Sequence, residues 1–195
     1  MAMAVQKVFP SAQCTIGPWI DRGFYYDFYY PEGFSNQDMN VRGVLDLHSG
    51  ASRLRDFPNV MYRLETGGVS FLHLGDNRAD WPTDVARAIG EVDVLLVTVD
   101  DSKHLLEYEE VDSLIQRLEP RVVIPMHYQI PGLMADDTGL EPPEAWLATQ
   151  SNVKRLDSPS AEFSPQILPS ETEVWLFQPA PASFASEPVS PSDSG

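Results

Sequence analysis

The chain has a single cysteine, Cys14, among its 195 residues. One thiol can form neither an internal disulfide bond nor a zinc site built from several thiolates. Basic residues are also few: 13 lysines and arginines stand against 29 aspartates and glutamates, which gives a formal net charge of -16. A chain of this charge repels phosphodiester backbones and anionic lipid surfaces, so we expect it to bind neither nucleic acid nor membranes.

Long apolar runs are absent as well. No stretch approaches the roughly 20 apolar residues of a transmembrane helix, and the N-terminus lacks the basic start and apolar segment of a signal peptide. With only one cysteine, a reducing compartment is expected, so the sequence predicts a soluble, cytoplasmic protein. The apolar content of 43% is sufficient for one domain of ordinary size.

The composition divides the chain into three regions. Residues 1–40 contain glycines, prolines and the aromatic run from Phe24 to Tyr30, and we expect an irregular, aromatic-rich segment there. Residues 41–178 carry the regular periodicity of strands and helices and are expected to form the folded domain. Residues 179–195 are mainly proline, serine and alanine with scattered acids, which is typical of a disordered tail because little can be buried.

Glycine and proline mark two local structures. Thr66-Gly67-Gly68 separates two apolar runs, and paired glycines can take the positive φ angles of a tight turn, so a β-hairpin is predicted. Pro82 precedes residues 83–89 and Gly90 follows them. This arrangement predicts a short helix that begins just after the proline and ends just before the glycine.

A strand, a helix and a second strand follow. The nearly continuous apolar run Val92–Val99 predicts a strand that is covered on both faces. The helix is predicted from apolar residues at helical spacing, namely Val111, Leu114, Ile115 and Leu118. Pro120 ends this helix, and the next strand leads to His127. A right-handed crossover of this kind places the C-terminal ends of both strands at one sheet edge, where ligands bind in α/β proteins. A further helix within 141–150 and a last strand at 173–177 are also expected.

Three candidate metal ligands follow predicted strands. His127 ends Val122-Val123-Ile124-Pro125-Met126-His127, Asp76 ends His73-Leu74-Gly75-Asp76, and His48 follows Val44-Leu45-Asp46-Leu47. Imidazole nitrogen and carboxylate oxygen suit Zn²⁺ or another first-row divalent ion, and Asp76 is also the candidate catalytic residue. The alternatives are a structural role for each histidine and an ordinary turn at Gly75-Asp76. We expect one metal site at the edge of a single sheet.

Two further histidines are weaker candidates. His73 alternates with apolar residues inside its strand, so it is expected to be packed or to support a ligand rather than to bind metal itself. His104 lies in the polar loop Asp100-Asp101-Ser102-Lys103-His104, where a solvated histidine is expected and a substrate-facing role is the alternative.

Several segments together resemble the C-terminal half of the metallo-β-lactamase-fold hydrolases, in particular the branch that contains ascorbate-6-phosphate-lactonase-like enzymes. The segments are the strand ending in His48, Pro58–Glu65, His73–Asp76, Val92–Val97 and Pro120–Tyr128. The resemblance implies an α/β chain of the αββα sandwich family. It also implies that His48 serves a first metal, that Asp76 bridges two metals and that His127 serves the second.

The family signature His-x-His-x-Asp-His is missing, because no histidine precedes His48. Residues 1–40 are also too few for the first sheet of the sandwich, so that sheet is expected to be largely missing. The leading hypothesis is a zinc-dependent hydrolase-family protein for a small-molecule lactone, ester or phosphoester, truncated at its active site. The metal would be weakly bound or absent. The alternative is a non-catalytic interaction protein that retains the fold and uses the aromatic N-terminal segment to cover an exposed sheet face or to recruit a partner. A homodimer or a complementing chain is the protein partner considered.

Overall fold

The computed structural model describes strands at 13–16 and 26–29 and the ranges 39–50, 57–100, 105–131 and 139–179. The chain forms two compact units, Met1–Asn40 (the first unit) and Val41–Gly195 (the second unit). The predicted tail at 179–195 lies outside the described residues from 180 onward.

In the first unit, β1 (Gln13–Ile16) pairs antiparallel with β2 (Tyr26–Tyr29). The segment that we expected to be irregular therefore contains a two-stranded sheet. The aromatic residues of β2 favour strand conformation, a preference that the glycines and prolines around them obscure in the sequence. The side chains of the aromatic run at 24–30 lie outside the described residues.

A seven-stranded sheet forms the centre of the second unit, with the order β3-β4-β5-β6-β7-β9-β8. Its strands are β3 (Asn40–Leu47), β4 (Pro58–Thr66), β5 (Val69–His73), β6 (Val94–Thr98), β7 (Val122–Met126), β8 (Val153–Arg155) and β9 (Glu173–Leu176). Its helices are α1 (Thr83–Ile89), α2 (Tyr108–Leu118) and α3 (Glu144–Leu147). From β5 to β8 all neighbouring strands run parallel. None of the helices in the described residues has the length and apolar character needed to cross a membrane.

The predicted hairpin is confirmed. β4 and β5 pair antiparallel, with Thr66 opposite Val69 across the turn. Gly67 and Gly68 have φ angles of 58° and 76°, which lie in the left-handed region that residues with a Cβ rarely occupy. The predicted helix at 83–89 is also confirmed, and Gly90 ends it with a φ of 68°.

The predicted crossover from β6 through α2 to β7 is present as well. Val94 lies opposite Val122 in a parallel register. At the start of α2, the backbone N–H of Glu107 donates to the Glu110 carboxylate at 3.0 Å, which satisfies one of the donors that the first turn leaves open. The helix ends at Leu118, and the next residue, Glu119, has a φ of 46° directly before Pro120.

Apolar side chains are buried on both faces of the sheet. One face packs against the helices through a cluster that includes Met61, Leu72, Leu95, Val97, Val111, Leu114 and Trp146. The other face carries a smaller cluster of Val69, Val94, Val122, Leu168 and Trp175. The segment between β8 and β9 covers that second face, where Phe163 stacks on Trp175 with ring centroids 5.4 Å apart. Successive residues of β6 therefore enter opposite cores, as its continuous apolar sequence predicts.

The C-terminal elements differ in part from the prediction. The last strand is present as β9, whereas the helix expected within 141–150 is limited to the single turn α3. β8 was not predicted, because its three residues, Val153-Lys154-Arg155, are too short to show a periodic pattern.

Candidate metal centre

Four polar residues follow strand ends in the second unit. Asp76, Asp100 and His127 come after β5, β6 and β7, which run parallel, so these residues lie at the same edge of the sheet. His48 directly follows β3 and forms an isolated bridge with Asn77. Two imidazoles and two carboxylates from distant parts of the sequence thus lie along this edge of the sheet, where they form two pairs.

His48 and Asp76 are neighbours at this edge. The distance from His48 Nε2 to Asp76 Oδ2 is 3.5 Å, and the two side chains are 19% and 48% exposed. His48 Nδ1 forms a close contact with the Ser49 carbonyl oxygen. Because a carbonyl oxygen only accepts, Nδ1 must carry the proton that it donates. In the neutral ring the lone pair is therefore on Nε2, and it faces a carboxylate oxygen.

Two lone pairs that face each other repel unless a proton or a metal ion lies between them. Two ligands bonded to one tetrahedral ion at about 2.0–2.1 Å are separated by roughly 3.4 Å, which is close to the 3.5 Å between His48 Nε2 and Asp76 Oδ2. Metal-bound histidines also commonly donate their second ring N–H to a backbone carbonyl, as His48 does to Ser49. The donor pair therefore fits one divalent ion in chemistry and in separation. Protonation of His48 to imidazolium would satisfy the same pair without a metal.

His127 has a different partner. Its Nδ1 lies 2.8 Å from Asp100 Oδ2, and the Asp100 side chain is completely shielded from solvent. A carboxylate accepts, so Nδ1 donates here as well, and Nε2 is the nitrogen with which this ring would bind a metal. His127 also has a φ of 55°, a left-handed conformation that is uncommon for residues other than glycine. Such backbone conformations cluster at functional sites.

Asp100 was missed in the sequence as a site residue, since it reads as the first residue of a polar loop. Its position in the sequence could have identified it. Asp100 is a carboxylate that follows a buried strand, and this strand lies next to the one that leads to His127. Its 1% exposure distinguishes it from an ordinary loop aspartate.

The structure joins two of the three predicted ligands and gives the third another partner. In the described parts of the chain, no three histidine, cysteine, aspartate or glutamate residues are grouped so that they could hold a metal ion. His48 and Asp76 form a pair, whereas His127 pairs with Asp100. The residues present therefore supply two donors for one ion, and the predicted site with three ligands stays a prediction.

His73 is partly buried in β5. Its Nδ1 is shielded and has no hydrogen-bond partner among the described residues. Burial lowers the pKa of His73, against smaller opposing effects from its own backbone and from the Asp76 charge. The neighbouring Leu72 and Leu74 enter the core beneath the helices, so His73 points to the other face of the sheet. His104 lies outside the described residues.

Comparison with known families assigns the fold. The sequence model of the beta-lactamase superfamily domain matches residues 15–127, which is more than half of the chain. The chain therefore belongs to the β-lactamase superfamily, and its mixed α/β fold is that of the metallo-β-lactamases, as the sequence resemblance predicts. The lactonase-like branch stays a prediction.

A solved structure from Thermotoga maritima is similar in fold. It is a candidate Zn-dependent hydrolase of the metallo-beta-lactamase superfamily, with 27% sequence identity and a TM-score of 0.57. The similarity covers 71% of this chain and 64% of that chain. This chain thus spans less than two thirds of the length of its structural relative.

A second similarity is short and of a different kind. The chain is 66% identical over 41 residues to a threonine–tRNA ligase from Thermosynechococcus vestitus, which is 21% of this chain and 7% of the ligase. It is 67% identical over 39 residues to the corresponding ligase from Marinobacter nauticus, which is 20% of this chain and 6% of the ligase. The chain therefore spans only a small part of these ligases.

Proposed function

We propose that the second unit is a metal-binding domain of the metal-dependent hydrolase type, which holds one divalent ion through His48 and Asp76. The observation that carries this proposal is the 3.5 Å between His48 Nε2 and Asp76 Oδ2, with His48 Nδ1 already donating to the Ser49 carbonyl. The superfamily assignment and the description of the Thermotoga maritima relative as a candidate Zn-dependent hydrolase support the same chemistry.

His127 is proposed as the third ligand. It follows a strand at the same sheet edge, and Asp100 holds its Nδ1 in the arrangement that metal-bound histidines use. The buried carboxylate and the left-handed backbone both restrict the direction of the ring. These features are typical of a functional site and support a role for His127 as a ligand.

A bound ion would supply a water of lowered pKa for hydrolysis. The proposed substrates are small molecules with a lactone, ester or phosphoester group, in line with the lactonase-like resemblance of the sequence. This chain's own contribution would be to orient the ion through His48 and Asp76 and to fix the ring of His127 through Asp100. With three candidate ligands among the described residues, we propose weak metal binding and hydrolysis close to the uncatalysed rate.

Calorimetric titration of Zn²⁺ tests this function. We expect binding by the wild-type chain at neutral pH, weaker binding as histidines are protonated at lower pH, and loss of binding in His127→Ala. Equal binding by wild type and His127→Ala would exclude His127 as a ligand. Rapid metal-dependent turnover of a lactone or bis-phosphoester, abolished by Asp76→Ala, would contradict the proposed low activity.

A second candidate function is protein binding through the sheet face. Leu45 on β3 and Tyr62 on β4 are large apolar residues that are 65% and 40% exposed. Exposed apolar side chains on adjacent strands are typical of interaction surfaces. A homodimer or a complementing chain would cover them. Sedimentation of wild type and Leu45→Ser tests this alternative, since a wild-type monomer over a wide concentration range would exclude the homodimer.

A further inference from the structure

Asp46 and Arg78 form a bidentate ion pair beside the proposed metal centre. Arg78 Nε donates to Asp46 Oδ2 at 3.0 Å, and Arg78 Nη2 donates to Asp46 Oδ1 at 2.9 Å. The Asp46 side chain is 3% exposed and that of Arg78 is 20% exposed. Two parallel hydrogen bonds fix the relative orientation of the two groups as well as their distance.

Both members of this ion pair are close in sequence to the two proposed metal donors, His48 and Asp76. Asp46 lies two residues before His48, and Arg78 lies two residues after Asp76. Residues two apart in an extended strand point to the same face, so Asp46 and His48 project from the same side of the end of β3. The ion pair therefore joins the same two chain segments that supply His48 and Asp76.

These two segments are not neighbours in the sheet. β4 lies between β3 and β5, so the loop after β5 must pass the end of β4 to reach β3. Two backbone hydrogen bonds complete the connection. Ser49 N–H donates to the Asp76 carbonyl at 2.7 Å, and Arg78 N–H donates to the Leu47 carbonyl at 3.2 Å. The Asp46–Arg78 pair adds a hydrogen-bonded side-chain link across this junction.

We propose that Asp46 and Arg78 are positioning residues that hold His48 Nε2 against the Asp76 carboxylate. The contacts that define this role are seen in the structure. Its effect on zinc affinity rests on the proposed metal binding. An ion pair that served only stability would affect unfolding, whereas a positioning pair also keeps the His48 ring, and with it the contact from Nδ1 to the Ser49 carbonyl, in place beside the Asp76 carboxylate. The two roles therefore differ in a measurable way.

Arg78→Lys in the full chain is the test variant, because lysine keeps the charge and cannot form the two parallel hydrogen bonds. Arg63→Lys is the matched control, since Arg63 forms a 2.7 Å ion pair with Glu65 in β4 of the same sheet. The first measurement is a long-range ¹H–¹⁵N spectrum of the histidine rings without metal. The second is the Zn²⁺ dissociation constant from calorimetry. If Arg78→Lys lowers the folded fraction, Asp46→Asn replaces it.

We expect the Nδ1–H tautomer of His48 in wild type and in Arg63→Lys, and a shift toward the mixed tautomers of a solvated ring in Arg78→Lys. We also expect Zn²⁺ affinity to fall 10- to 100-fold in Arg78→Lys alone, the range typical of residues that support metal ligands. Unchanged His48 spectra in Arg78→Lys would overturn the positioning role whether or not zinc binds. A wild-type chain that does not bind Zn²⁺, with the tautomer shift present, would remove the proposed function and leave the positioning role intact.

Discussion

Replacement of Asp100 by asparagine separates the charge of this buried carboxylate from its shape. The Asp100 side chain is fully shielded and accepts a hydrogen bond from His127 Nδ1 at 2.8 Å. A hydrogen bond to a charged group contributes about 1.5–3 kcal/mol, and one between neutral groups about 0.5–1.5 kcal/mol. Asparagine can still accept from His127 through its amide oxygen. We therefore expect Asp100→Asn to lower the free energy of unfolding by about 1–1.5 kcal/mol.

Urea unfolding followed by tryptophan fluorescence measures this change. Asp157→Asn is the matched control, because it removes the same charge from an exposed position. A shift of the His127 ring resonances should accompany the loss of stability in Asp100→Asn and not in the control. If Asp100→Asn unfolds as wild type does and the His127 resonances do not move, the carboxylate does not hold the ring and the reasoning is refuted.

The remaining predictions concern pH, turn geometry and the ligase-like stretch. Burial lowers the pKa of His73 below 6.5, so the unfolded chain binds more protons below that pH and stability falls as pH decreases toward the lowered pKa. The free energy of unfolding should therefore decrease less between pH 8 and pH 5 in His73→Gln than in wild type. Gly68→Ala should destabilise more than Gly67→Ala, since both residues have positive φ but only Gly68 would place a Cβ at 3.2 Å from Pro165; equal unfolding midpoints would contradict this. The 41-residue stretch shared with threonine–tRNA ligases has nearly the length of the first unit, and we predict that it is this unit. If the sequence of the second unit alone were still similar to the ligases over this length, the prediction would be contradicted.

Local signals account for the parts of the fold that the sequence predicts well. The turn at Gly67-Gly68 and the helix between Pro82 and Gly90 depend on the backbone preferences of glycine and proline, which act within a few residues. The crossover from β6 to β7 can also be predicted from the sequence, because α2 has apolar residues at helical spacing.

Contacts between distant residues explain what the sequence does not predict. Asp100 and His127 are 27 positions apart, and Asp46 and Arg78 are 32 positions apart. No local pattern specifies either pair, because each depends on which strands become neighbours and on how a loop crosses the sheet. The strand-end rule correctly indicated the edge where His48 and Asp76 meet. It did not specify the partner of each histidine, which depends on ring direction and backbone conformation.

A crystal of the full chain soaked in Zn²⁺, with the ion located by its anomalous scattering, tests the proposed metal centre most directly. We predict one peak within about 2.0–2.2 Å of both His48 Nε2 and an Asp76 carboxylate oxygen, and no peak at this place in His48→Ala. A zinc ion bound elsewhere in the second unit, or a site that persists in His48→Ala, would contradict the account.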